Sequence, residues 1–133
     1  MKANPVGWFE IYVQDMTRAK TFYETVFQVT LAPLPAPPVP EGQARAVAME
    51  MLTFPMTQED YGAPGALVRM DGVPSGAGGT MVYFSCEDCA VEAARVVEAG
   101  GKVFRDKMPI GQYGFIALVH DSEGNVIGLH STQ

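Results

Sequence analysis

Apolar and polar positions alternate along Trp8–Val13, with Phe9, Ile11 and Val13 on one side and Trp8, Glu10 and Tyr12 on the other. A period of two predicts a half-buried strand, one face in the core and the other mixed. From Asp15 the period changes. Ala19, Phe22, Tyr23, Val26 and Phe27 recur at the spacing of one helix face, and Asp15 is placed to accept from the free N–H groups of a first turn, so a helix is predicted over Met16–Phe27. Its apolar stripe should lie on the Phe9/Ile11/Val13 face of the preceding strand. The same succession returns later: a strand over Met81–Cys86, Asp88 as cap, and a helical stretch Cys89–Ala99 stopped by Gly100–Gly101. The chain carries one small module twice, which fixes the architecture and points to a site between the halves.

The segments after each helix complete the module. Val29–Leu34 predicts a short strand, and Pro33, Pro35, Pro37, Pro38 and Pro40 then forbid helix or ladder, leaving a loop that suits either a lid or a rigid surface excursion. Ala44–Phe54 and Gly65–Met70 are predicted strands joined by the irregular Pro55–Pro64, and Gly72–Gly79 is a Gly-rich turn. In the second half Lys102–Arg105, Gly114–Val119 and Asn125–His130 follow as strands, the last two joined by the turn Asp121–Gly124. The repeat is β-α-β-β-β, an α+β fold of two tandem modules at about residues 5–71 and 79–132 within a single domain spanning 1–133. A chain of 133 residues, 47% hydrophobic, can bury a core without disulfides or metals. Each half alone would be marginal, so the halves are expected to share that core.

Charge narrows the partners. A net charge of −6 and nine scattered basic residues oppose nucleic-acid binding, which needs clustered Lys and Arg. No stretch has the ~18 consecutive apolar residues of a membrane span, and Met1–Gly7 lacks the basic and apolar character of a signal peptide. Two cysteines make no disulfide framework. The expectation is a cytoplasmic protein with no nucleic-acid or membrane partner.

The segment Glu10–Ile–Tyr–Val–Gln–Asp–Met–Thr–Arg–Ala–Lys–Thr–Phe–Tyr23 and the closing His120–Asp–Ser–Glu–Gly–Asn–Val–Ile–Gly–Leu–His130, in this element order, resemble the vicinal oxygen chelate superfamily, which includes glyoxalase I, bleomycin-resistance proteins and extradiol dioxygenases. The resemblance covers nearly the whole chain. It implies curved mixed sheets around a cleft, commonly completed by dimerisation, so a homodimer is expected. It also implies, for the enzymes, a divalent metal held by the first and last strand of each module. Here the matching positions are Trp8 and Met81 on the first strands and Gly128, within Ile127–Gly128–Leu129–His130, on the last; the fourth falls within Ala66–Val68. None offers the oxygen or imidazole donor such ions require. No metal or other cofactor is expected at those positions.

Continuing the alternation puts Trp8, Glu10, Tyr12, Met81, Tyr83, Ser85 and His130 on the cleft face. Glu10 is the candidate proton acceptor, against the plainer reading that it pairs with Arg69 or water. Trp8, Tyr12, Met81 and Tyr83 suit a flat ligand, or else close the cleft as ordinary core. His130 and His120 are expected in structural hydrogen bonds, and Met49 and Met51 in core packing or a dimer surface. Cys86–Glu–Asp–Cys89 has redox spacing, but Cys86 faces the core and two acidic residues oppose a thiolate. Gly72–Gly79 lacks the Gly–Lys–Ser/Thr end of a phosphate loop. Two functions compete: a metal-independent protein binding a small molecule in the cleft between modules, and a lyase, isomerase or dioxygenase-like enzyme using Glu10 alone or an atypical metal set such as Glu10, Glu50 and His130. A third is a dimerisation module with a filled cleft.

Overall fold

In the computed structural model, residues 6, 8–35, 42, 48–57, 59–76, 78 and 80–133 are described. Ten regular elements fall into two halves. The first half holds β1 (Phe9–Tyr12), α1 (Met16–Phe27), β2 (Ala32–Pro33), β3 (Met49–Thr53) and β4 (Gly65–Met70). The second holds β5 (Tyr83–Ser85), α2 (Cys89–Arg95), β6 (Lys102–Pro109), β7 (Phe115–His120) and β8 (Val126–Ser131). Each half builds a four-stranded mixed sheet with the same plan, β1-β4-β3-β2 and β5-β8-β7-β6. Its first strand runs parallel to its last, and the other pairs are antiparallel. This is the predicted pair of βαβββ modules.

Local chemistry explains the element limits. Asp15 adopts an extended backbone and its carboxylate accepts from Arg18 N at 3.0 Å, starting α1, and Gln28 ends it in the left-handed conformation at φ 54°. Asp88 caps α2 in the same way through Ala90 N. α2 is shorter than the predicted Cys89–Ala99; turns carry the chain from Val96 to Gly100, and the Gly101 N–H closes them on Val96 O at 2.9 Å. The predicted strand Val29–Leu34 shrinks to Ala32–Pro33: before it Leu31 N donates to the Glu24 carboxylate at 2.8 Å, and after it Pro35 has no N–H to give the ladder. Met81–Cys86 likewise reduces to Tyr83–Ser85, and Lys102–Arg105 extends to Pro109 across two register shifts. Pro37, Pro38 and Pro40, the start of the predicted Ala44–Phe54 strand, and positions 77 and 79 of the Gly-rich turn lie outside the described residues.

One core serves both halves. Met16, Ala19, Phe22, Tyr23 and Val26 of α1 pack on Ile11, Val13 and Leu67 in the first half and, in the same cluster, on Ala93, Val96, Ala117, Val119, Ile127 and Leu129 of the second. Phe84 of β5 enters an aromatic group from the first half, stacked on Phe27 at 4.5 Å between centroids and tilted against Phe54 at 5.4 Å and Tyr23 at 5.9 Å. Such pairs contribute roughly 0.5–1.5 kcal/mol each beyond their burial. Gly101 passes so close to α1 and α2 that a Cβ would meet Phe22 at 2.6 Å and Val96 at 2.9 Å and would overlap His120 O.

The β7–β8 turn is a buried polar knot tying the halves together. Asp121 Oδ1 accepts from Glu123 N and Asn125 N, both at 2.8 Å, and Oδ2 accepts from Tyr23 OH at 2.7 Å and Asn125 Nδ2 at 2.8 Å. Burial, and then the Asp121 carboxylate, push the Tyr23 phenol well above its usual range, so it remains a donor. Glu123 reaches across to the end of β1. Its Oε1 accepts from Gln14 N and Asp15 N at 2.9 Å and from Arg18 at 3.0 Å, and its Oε2 from Arg18 Nε at 2.6 Å and Ser122 at 3.0 Å. Burial opposes ionisation of Glu123, but Arg18, the two backbone N–H groups and Ser122 outweigh it and hold the carboxyl down at about 2.

A depressed folded pKa contributes stability that is fully present above the ordinary value of 4.5 and is lost as pH falls toward about 2. Allowing for screening at the half-exposed Arg18, that contribution is on the order of 2 kcal/mol. Glu123→Gln should lower stability by this amount at neutral pH and flatten its decline between about pH 4.5 and 2. Urea unfolding of both proteins across that range checks it, and equal slopes would refute the assignment.

Candidate functional site

Strand register decides which side chains meet. Glu10 lies opposite Ala66 and Tyr12 opposite Val68, while Thr53 and Met51 lie opposite those same residues on the next strand. This face points away from the helices, and Phe9, Ile11 and Leu67 point into the core. Glu10 is held by its own strand: Trp8 Nε1 donates to Oε2 at 3.2 Å and Tyr12 OH donates to Oε1 at 2.8 Å. The hydrogen bond to Glu10 is the main reason the Tyr12 phenol is raised above its usual value, with burial second. Arg69, the anticipated partner of Glu10, pairs instead with Asp71 at 3.1 Å. It could not do otherwise from its place, because three positions separate Arg69 from Ala66 and put it on the opposite face, beside Glu50.

On the second sheet Tyr83 lies opposite Gly128, and Ser85 opposite His130. The Tyr83 ring covers Gly128 so closely that a Cβ there would overlap the ring. His130 Nε2–H donates to Tyr113 O at 2.7 Å, tying β8 to the short 3-10 turn Gly111–Tyr113. A cavity of about 610 Å³ opens over this face, lined by Tyr61, Tyr83, Ser85, Tyr113, Ile116 and His130 among others. A second, of about 490 Å³, lies between β1 and β5 with Trp8, Glu10, Met81 and Tyr83 in its wall. Tyr83 belongs to both. Tyr12 joins Glu10 around a smaller hollow of about 210 Å³ with Thr80, Val82 and Asn125. Trp8 and Met81 are each 38% exposed and Tyr83 48%, so these three do not close the cleft as core.

Tyr61, Ile110, Tyr113 and Ile116 were not singled out from the sequence. Tyr61 lies in the irregular Pro55–Pro64 connection and Tyr113 in a single turn, where no periodicity reveals a face; Ile116 shares the alternation of β7, the one signal that could have found it. His120 packs edge-on against Phe104, a structural place. The Cys86 thiol is pushed up to about 12, by burial first and then by Glu92, and Cys89 is buried, which opposes redox chemistry at this pair.

The positions that the family resemblance makes metal ligands are Trp8, Met81 and Gly128, and the equivalence of the pairs Glu10/Ala66 and Tyr83/Gly128 makes Ala66 the fourth. Indole, thioether, hydrogen and methyl supply no hard-metal donor. The atypical set fares no better, since Glu50 lies on the opposite face of the sheet from Glu10. Among the described residues no three His, Cys, Asp or Glu side chains come close enough to hold a metal ion. The residues present do not fit the group.

Comparison with solved structures places the fold. The chain superposes on a glyoxalase-related enzyme from Fulvimarina pelagi with a TM-score of 0.63 and 18% identity, over 95% of this chain and 86% of that one. A glyoxalase/bleomycin resistance protein from Streptomyces sp. CB03234 gives 0.58 and 27% over 94% and 98%. Glyoxalase I from Zea mays gives 0.65 and 22% over 96% of this chain, which spans about half of the maize protein, 46%. No protein-family model matches the sequence, and no curated protein matches it either. The chain has the fold of the glyoxalase, bleomycin-resistance and dioxygenase proteins, the vicinal oxygen chelate fold its sequence resembles. No helix among the described residues is long and apolar enough to cross a membrane.

If the Tyr83 ring is what makes Gly128 necessary, Gly128→Ala should cost roughly 1–3 kcal/mol, as overpacking does. Most of that cost should disappear in a Tyr83→Ala background, a coupling of roughly 0.5–3 kcal/mol. Urea unfolding of the wild type, both single variants and the double variant measures it; strict additivity would contradict the overlap.

Proposed function

We propose that this protein is a metal-independent small-molecule-binding protein of the glyoxalase/bleomycin-resistance type, with its ligand in the cleft between the modules. The observation that carries the reading is the Tyr83 ring lying over Gly128, where the fold's enzymes place a metal carboxylate. An aromatic ring lies over that position, and none of Trp8, Met81, Ala66 and Gly128 offers a hard-metal donor. What remains beside it is a cavity of about 610 Å³, within the roughly 300–1,000 Å³ typical of small-molecule sites, with apolar walls and a few polar groups at Ser85, Tyr113 and His130. The fold's common completion by a second copy and the two free cysteines support a cytoplasmic homodimer as the working form.

A second reading, a lyase, isomerase or dioxygenase-like enzyme, draws on Glu10 alone. Trp8 and Tyr12 hold its carboxylate in one orientation at the cleft wall, as a positioned proton acceptor would be held. Such an enzyme would need a substrate carbon acid within hydrogen-bond reach of Glu10.

Elemental mass spectrometry of purified, untagged protein after incubation with nickel, zinc, manganese or iron(II) tests the main reading. Less than about one-tenth equivalent should stay bound. Near one equivalent per chain would return metal chemistry to the site and overturn the proposal. Once a ligand is in hand, Glu10→Gln separates the two readings: it should shift affinity modestly in a binder, whereas loss of a measured turnover would favour the enzyme.

A further inference from the structure

We infer that the ligand of this cleft is an organic cation, an amine or quaternary ammonium group carried on a flat apolar body. The inference rests on the reading of the cleft as a small-molecule site and names the class of molecule it takes. Charge is the first argument. Among the described residues lining the three hollows, Glu10 is the only acidic one, and none is Lys or Arg. The adjoining hollow in the Pro55–Pro64 loop, which shares Tyr61 and Gly62, adds Asp60, a second carboxylate. An anionic ligand would face Glu10 with no cation beside it, and like charges at close range in a partly desolvated cleft oppose binding. The net charge of −6 acts in the same direction at longer range.

The second argument is the aromatic content. Trp8 and Tyr83, 38% and 48% exposed, share a hollow with Glu10, and Tyr113 and Tyr61, 66% and 92% exposed, line the adjoining one that Tyr83 also borders. Ring faces carry negative electrostatic potential and attract ammonium groups, and a carboxylate among several rings is the chemistry that recognises such ions. Glu10 is prepared for this task. Each carboxylate oxygen accepts one hydrogen bond, from Trp8 or Tyr12, which fixes its direction and leaves further lone pairs open to the cleft. Among the described residues Glu10 enters no ion pair. The flat body would lie toward Tyr83 and the larger hollow, where Ile110 and Ile116 continue the apolar wall.

The chain has a single tryptophan, so one indole N–H signal in a proton–nitrogen correlation spectrum reports on the Trp8–Glu10 contact. Three probes of one shape and different charge, 2-naphthylmethylamine, 2-naphthalenemethanol and 2-naphthoate, would be titrated into the labelled full chain at neutral pH. The amine should move the indole signal and bind at least about tenfold more tightly than the alcohol, with naphthoate weakest. Added salt should weaken the amine and leave the alcohol unaffected, a control that needs no variant. Glu10→Gln should remove the amine's advantage over the alcohol. Equal or tighter binding of the alcohol or the naphthoate at this cleft would overturn the cation while leaving the small-molecule site standing. If none of the three disturbs Trp8, Tyr83 or Tyr113 at millimolar concentration, both this inference and the proposed function fall.

Discussion

Glu123 has no exposed side-chain surface and yet accepts five hydrogen bonds, from Gln14, Asp15, Arg18 and Ser122. A buried carboxylate is tolerated only when its lone pairs are occupied, and here the donors come from the end of β1 and the start of α1 in the other half of the chain. Asp121 and Asn125 continue the arrangement, Asn125 Nδ2 donating to Tyr12 O at 3.0 Å and its Oδ1 accepting from Gly76 N at 2.7 Å. One three-residue spacing of acid, acid and amide therefore fixes where β1 stands relative to β8. Removing one partner strands a buried charge, which makes the knot worth more as a constraint on geometry than as a simple sum of contacts.

The knot also orients the cleft face. Its bond to the backbone of Tyr12 anchors the residue whose hydroxyl holds Glu10, and Glu10 in turn receives Trp8. Trp8, just before β1, and Glu10 and Tyr12 within it form a chain of hydrogen bonds fixed at one end to the other module. On the opposite side of the same strand, Phe9 meets Phe84 edge-on at 6.2 Å and Ile11 sits in the core. Alternation along four residues divides the labour: odd positions join the modules through apolar contact, and even positions face the cleft with polar groups.

The strength and range of the signals explain how much was legible in the sequence. α1 and β4 have the predicted limits, Met16–Phe27 and Gly65–Met70, because a cap, an apolar period and flanking Gly or Pro all act within a few residues. The weaker strands β2 and β5 came out shorter than predicted, one limited by prolines and the other lying at its sheet's edge beside β8 alone. The cleft face of β1 followed from period two, and register then carried Tyr83, Ser85 and His130 onto the second sheet's open face. Glu123 was visible only as part of a turn, since its main partner Arg18 lies 105 residues away and no local pattern announces such a pair. Tyr61 and Tyr113 escaped for a related reason: their positions are set by irregular chain, where side-chain direction follows from packing and not from spacing.

Both sheets contain an aromatic residue packed over a glycine on the parallel neighbour, and the two cases differ in a way that bears on chemistry. Phe9 covers Gly65 on the core side, where a ring over a glycine fills space that backbone alone would leave empty. Tyr83 covers Gly128 on the other side of its sheet, with the ring half exposed instead of packed into the core. A side chain larger than hydrogen at 128 would force the Tyr83 ring to move, so a carboxylate at that position would displace the tyrosine from its present place. The same pair puts a half-exposed phenol ring between the two larger hollows, where its face is open to both.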